Sequence, residues 1–170
     1  MTHIKTFKEY INEKNNDNNE LETEIKNSLE TEFYKIFPNG NFISSRPTLG
    51  SDALYVHISA VNMNSNDFKK ELNGIPQNDP IRTMFMIDFT NPDNITLESD
   101  GTRIAVKPEE GSYMAMSKVK VPFRKSRSKD VKTLTKKWNT YLTKVKKAVQ
   151  ENMDNIYGIE RYQDANKWFK

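Results

Sequence analysis

Cysteine is absent from this chain. Disulfides, thiolate metal sites and thiol catalysis are therefore excluded, and the expected setting is a reducing compartment. Histidine occurs only at His3 and His57, too few and too far apart for a zinc site. Glycine is scarce, with 6 in 170 residues. The lone glycine of Thr48-Leu-Gly-Ser51 has neither the spacing nor the lysine of a phosphate loop, and no nucleophile-elbow pattern occurs. No apolar run approaches the roughly 18 residues of a membrane span. The polar N-terminus lacks the apolar core of an export signal. These absences lead us to expect a soluble protein with no membrane partner, metal or cofactor. The aromatic content of 11% argues against disorder, and the length suits one domain.

The most informative shortage is of acid. Residues 117–150 hold twelve basic residues and a single acidic one, Asp130, for a net charge of +11. The whole chain carries only +3, so the remainder sums to −8. A clustered field of this kind attracts polyanions. The candidate binding residues are Lys118, Lys120, Arg124, Lys125, Arg127, Lys129, Lys132, Lys136, Lys144 and Lys147. They are expected to converge on one exposed patch that meets nucleic acid, an acidic partner or the protein's own acidic half. Lysine and arginine neutralise phosphates and release counterions without sequence choice.

Periodicity supplies the fold class. Ile4, Phe7, Tyr10 and Ile11 recur at helical spacing in residues 1–13. Residues 14–20 belong to an Asn-rich tract with nothing to bury and read as a flexible linker before a single domain at 21–170. Leu21, Ile25, Leu29, Phe33 and Ile36 share one helical face, ended by Pro38 and Gly40. Alternation then predicts strands at 42–47, 53–61, 82–89, 95–98, 103–107 and 113–123. Asp100-Gly101 predicts a hairpin between the fourth and fifth of them. Short helices are expected at 66–72 and 160–169, the latter docking Tyr162, Trp168 and Phe169. A long helix is expected over 129–153, capped by Ser126 or Ser128, with Trp138 and Tyr141 on its apolar stripe. The order implies α+β: an antiparallel sheet of five or six strands between an N-terminal helix and a long C-terminal helix, with helices on one face.

Catalytic patterns are thin. His57 falls on the polar side of its strand, near Asp52 and Ser59, and reads as a surface histidine. Asp88 and Glu98 end neighbouring strands, with Lys107 following, and a metal-dependent nuclease is the enzymatic alternative they raise. Asp88 followed by Phe-Thr-Asn-Pro is also ordinary turn chemistry, and the turn is the favoured reading.

One peptide carries a resemblance. Lys5, Thr6, Phe7, Tyr10, Ile11, Asn12 and Glu13 resemble the N-terminal targeting peptide of internal head proteins of large tailed bacteriophages. The resemblance implies delivery into the prohead and cleavage after the glutamate of Ile11-Asn12-Glu13. It thereby implies phage head or neck proteins as partners, and a virion location after a period in the host cytoplasm. The helix–strands–helix order is also similar to small head–tail connector proteins, at the level of fold analogy. The reading is a non-enzymatic virion-associated protein with a basic surface facing DNA or an acidic partner. The alternative is a small phage DNA-binding or host-takeover protein that is not packaged.

Overall fold

The computed structural model describes residues 7–48, 50–59, 81–108 and 117–156, with the side chains of residues 7–16 and of Arg82 outside that description. The helices expected at 66–72 and 160–169 lie outside it. The fold is α+β. Helix α1 spans Phe7–Ile36 and helix α2 spans Val131–Glu151. Between them lie β1 (Asn41–Ser45), β2 (Ala53–Ser59), β3 (Ile81–Asp88), β4 (Ile95–Glu98), β5 (Thr102–Val106), β6 (Ser117–Val121) and β7 (Ser126–Ser128). Every strand pair is antiparallel.

The linker expected at 14–20 is helical instead: α1 runs through it without a break. The tract lacks proline and glycine, and asparagine disfavours a helix only weakly. Its polar side chains also find partners on the β1–β2 connection. Asn18 Nδ2 donates to Asp52 Oδ1 at 2.9 Å, and Arg46 donates to Asn19 Oδ1 at 2.9 Å while pairing with Glu22. The buried half of α1, anchored by Ile25, Leu29 and Phe33, supplies the costly nucleus from which the rest extends. Phe37 N–H closes the last turn onto the Phe33 carbonyl, and Pro38 ends it. Gly40 follows where a Cβ would lie 2.6 Å from both the Phe33 ring and the Ser59 carbonyl, so the backbone passes only without a side chain.

Both helices lie on one face of the sheet. Trp138 of α2 is fully buried and donates its indole N–H to the Leu29 carbonyl of α1 at 3.0 Å. Its ring meets Phe85, at the middle of β3, edge-on at 4.8 Å. The core gathers the inward residues of α1, β2–β5 and α2 into one cluster. Asp130, rather than Ser126 or Ser128, caps α2: its carboxylate accepts from Thr133 N–H at 2.7 Å. That bond, seconded by the Thr133 hydroxyl, holds the Asp130 carboxyl below its usual range.

The expected hairpin at Asp100-Gly101 is absent. β4 and β5 both pair with β3, Glu98 across from Met86 and Arg103 across from Arg82. Between those pairs the β4–β5 side holds one more residue than β3 does, which is a β-bulge in a continuing strand. Gly101 makes it possible. Its φ of 96° suits glycine, and a Cβ there would sit 2.3 Å from the Val121 carbonyl. The backbone N–H of Thr102 is met by the buried Tyr141 hydroxyl at 2.7 Å. An Asp-Gly pair can serve a turn or a bulge, and here α2 provides the partner that favours the bulge. β7 is a further departure, since residues 126–128 read as loop. They extend the line of β6 and pair with β4 in the register that β5 and β6 already share. Seven segments therefore make five rows of strand.

Candidate polyanion-binding surface

The period of two along each strand decides which side chains escape the helices. Leu54, Val56, Ile58, Phe85 and Ile87 are buried beneath α1 and α2. Their neighbours Tyr55, His57, Met84 and Met86 belong to the opposite, open face. The bulge keeps this division intact on both sides of Gly101. Ile95 and Leu97 point inward before it, Ile104 and Val106 after it. Arg103, Lys118 and Lys120 consequently share the open face and are exposed.

Cross-strand register aligns the open face into rows. In one, Ala53 faces Asp88, Asp88 faces Thr96 and Thr96 faces Arg127. In the next, Tyr55 faces Met86, Met86 faces Glu98, and Glu98 is bound by Lys125 at 2.6 Å. A third runs Ile43, His57 and Met84. Beyond the bulge comes a row of one sign: Arg82 lies directly across from Arg103, and Arg103 directly across from Lys120. Lys118 stands two residues along β6. Arg103, Lys118 and Lys120 make no ion pair among the described residues. Like charges placed directly opposite each other weaken a sheet by a few tenths of a kcal/mol to about 1 kcal/mol. This row is therefore a cost to folding that an anion would remove.

The structure divides the patch expected from sequence. Lys118, Lys120 and Arg127 are on strands at the open face, with Arg124 and Lys125 between β6 and β7. Lys129 precedes α2. Lys132, Lys136, Lys144 and Lys147 project from α2 on the covered side, away from its buried stripe. The two groups flank the β6–β7 edge instead of converging. Their pairings differ too. Lys125 is held by Glu98, and Lys147 reaches Glu151 at 3.6 Å in an exposed contact of small energetic weight. Lys132 and Lys136 line a groove of about 610 Å³ whose other wall carries Glu24 and Glu32 of α1. Lys137 donates to the Arg127 carbonyl at 3.0 Å, fastening α2 to β7.

Arg82 and Arg103 are the residues that sequence reasoning missed. Neither lies in the basic tract, and only the register after the bulge brings them beside Lys120. His57 also departs from its expected surface position. It is half-buried, and desolvation pushes its imidazole below the usual range. Asp88 accepts from Thr90 N–H at 2.9 Å. That bond, the Thr90 hydroxyl and the nearby Lys125 ammonium hold its carboxyl low. Lys125 thus stands as the cation beside both Asp88 and Glu98, and Lys107 lies at the far end of β5, where its N–H bonds the Asn155 carbonyl. Among the described residues no cluster of three or more histidine, cysteine, aspartate or glutamate side chains could hold a metal ion.

Ile11, Asn12 and Glu13 lie inside α1, where their backbone is helical. No helix of the described residues is long and apolar enough to cross a membrane. No protein-family model, curated protein or solved structure matches the chain.

Proposed function

We propose that this chain is a non-enzymatic component of a bacteriophage virion, carried in the head or at the head–tail junction, which holds DNA on the open, basic face of its sheet. The observation that carries the binding half is the in-register row of Arg82, Arg103 and Lys120, with Lys118 beside it and no ion pair at Arg103, Lys118 or Lys120 among the described residues. A row of this kind disfavours the folded state until an anion lies across it, and the phosphates of a nucleic acid supply such anions in series. The helix lysines contribute less to this reading, because Lys132 and Lys136 already share a groove with Glu24 and Glu32. The virion half rests on the targeting-like peptide at Lys5–Glu13. Cleavage after Glu13 would require the first turns of α1 to open, a motion that helix ends undergo readily.

Two measurements test this reading. A fluorescence anisotropy titration with DNA across a salt series should give an affinity that falls steeply as salt rises. Affinity indifferent to salt, or absent, would overturn the binding half. Mass spectrometry of purified virions should recover the protein, with a peptide beginning at Lys14 if the processing occurs. Its complete absence from particles would leave the unpackaged DNA-binding alternative.

A further inference from the structure

We infer that the nucleic acid taken by the open face is single-stranded, with one unstacked base seated over Tyr55, Met84 and Met86 and the adjoining phosphates over Arg103 and Lys120. The inference rests on the polyanion reading above and adds to it the form of the ligand.

A hollow of about 570 Å³ opens on this face, floored by Tyr55, Met84 and Met86 and walled by the bulge. Its size falls within the range of small-ligand sites. The floor is apolar at the centre of an otherwise charged surface. Met84 is 44% exposed, one of two large apolar side chains left so open among the described residues. Tyr55 lies beside Met86 in register, yet among the described residues its ring stacks on no other aromatic ring and its hydroxyl has no hydrogen-bond partner. The contrast with Tyr141 is informative, because Tyr141 spends both ring and hydroxyl on the core. A partly exposed aromatic ring next to flexible thioethers is a surface on which any base can stack.

The hollow is lined by charges of both signs. Arg103, Lys120 and Lys118 continue from one wall along β5 and β6. The hollow is also lined by Asp100, whose carboxylate has no partner among the described residues, and by the Glu98–Lys125 pair. Carboxylates repel phosphates but accept hydrogen bonds from the amino groups of bases. The backbone is thereby directed over the cations and the base edge toward Asp100. A duplex offers phosphates to the same cations but keeps its bases stacked inside, so it cannot fill the hollow. The bulge is what places the two features side by side. It forms the wall of the hollow and sets Arg103 in line with Lys120.

The test compares a short fluorescein-labelled oligodeoxycytidylate with a hairpin duplex, at one ionic strength, on the full chain. The single strand should bind about tenfold or more tightly than the duplex. Tyr55→Ala should lower single-strand affinity roughly tenfold and leave duplex affinity unchanged, whereas Tyr55→Phe should behave as the native protein. Arg103→Gln should weaken both ligands and reduce the salt slope by about one. Thermal unfolding of each variant checks that the fold persists. Equal affinity for the two forms with a silent Tyr55→Ala would overturn the inference while leaving a charge-driven DNA surface in place. Failure to bind either form, with retention on an acidic protein matrix alone, would remove the DNA reading and this inference together.

Discussion

The two faces of this sheet are made by the same strands and obey opposite rules. On the covered face the large polar side chains that reach the core are bonded there. Tyr141, the main phenol there, bonds the Thr102 backbone and hydroxyl at 2.7 Å, and the Trp138 indole meets the Leu29 carbonyl. On the open face Arg103 lies directly across from Lys120, and among the described residues the Tyr55 hydroxyl and the Asp100 carboxylate go unmatched. One face has been arranged for stability. The other carries features that folding alone would discard, and such departures collect where a protein meets something else. The comparison supports the proposed binding on the open face without appeal to any reaction.

That contrast can be broken or sharpened by substitution, and the largest effects should come from the covered face. Trp138→Ala removes a fully buried ring and its bond to Leu29, and should cost about 3–5 kcal/mol in urea unfolding. Gly101→Ala should cost roughly 2–4 kcal/mol, because a Cβ meets the Val121 carbonyl and φ is left-handed. Since the bulge also sets Arg103 beside Lys120, oligonucleotide affinity should fall with it. Tyr141→Phe keeps the ring but strips the Thr102 N–H of its partner, for a loss of about 1–3 kcal/mol. Full stability in Tyr141→Phe would show that water satisfies the bulge and that α2 does not pin it.

The open face should respond more weakly, and in one case with the opposite sign. Burial depresses the His57 pKa below 6.5, so the unfolded chain takes up its proton first as pH falls. Stability should be flat above about pH 6.5 in this respect, then decline from there down to the depressed value. His57→Gln should flatten that part of the profile, and an unchanged slope would place the titrating group elsewhere. The smallest stability effect should be a gain. Arg103→Gln relieves the like-charge opposition to Lys120 and should stabilise the protein by a few tenths of a kcal/mol while it weakens DNA binding.

Much of the fold was legible in the residues. Helical spacing at Ile25, Leu29 and Phe33, and again from Val131 to Val149, found both helices because each buries one stripe. Alternation at Leu54, Val56 and Ile58 found a half-buried strand for the same reason. What composition misjudged was the Asn-rich tract, whose partners Arg46 and Asp52 lie far along the chain. Local pattern also misread Asp100-Gly101, where the choice between hairpin and bulge depends on a tyrosine hydroxyl some forty residues away. The candidate site was half legible. The basic tract announced Lys118 and Lys120, but charge counting along the chain cannot see that Arg82 and Arg103 join them across strands. It also cannot see that Lys132 and Lys136 turn to the other side, toward α1.

The central claim is that the row of cations across β3, β5 and β6 is a binding surface and not an accident of register. The most direct measurement is the salt dependence of single-stranded DNA affinity for the native chain and for Arg103→Gln/Lys120→Gln. The account predicts weaker binding and a log–log slope shallower by about two in the double variant, with folding stability equal or slightly higher. A variant that binds with the native affinity and slope would contradict it.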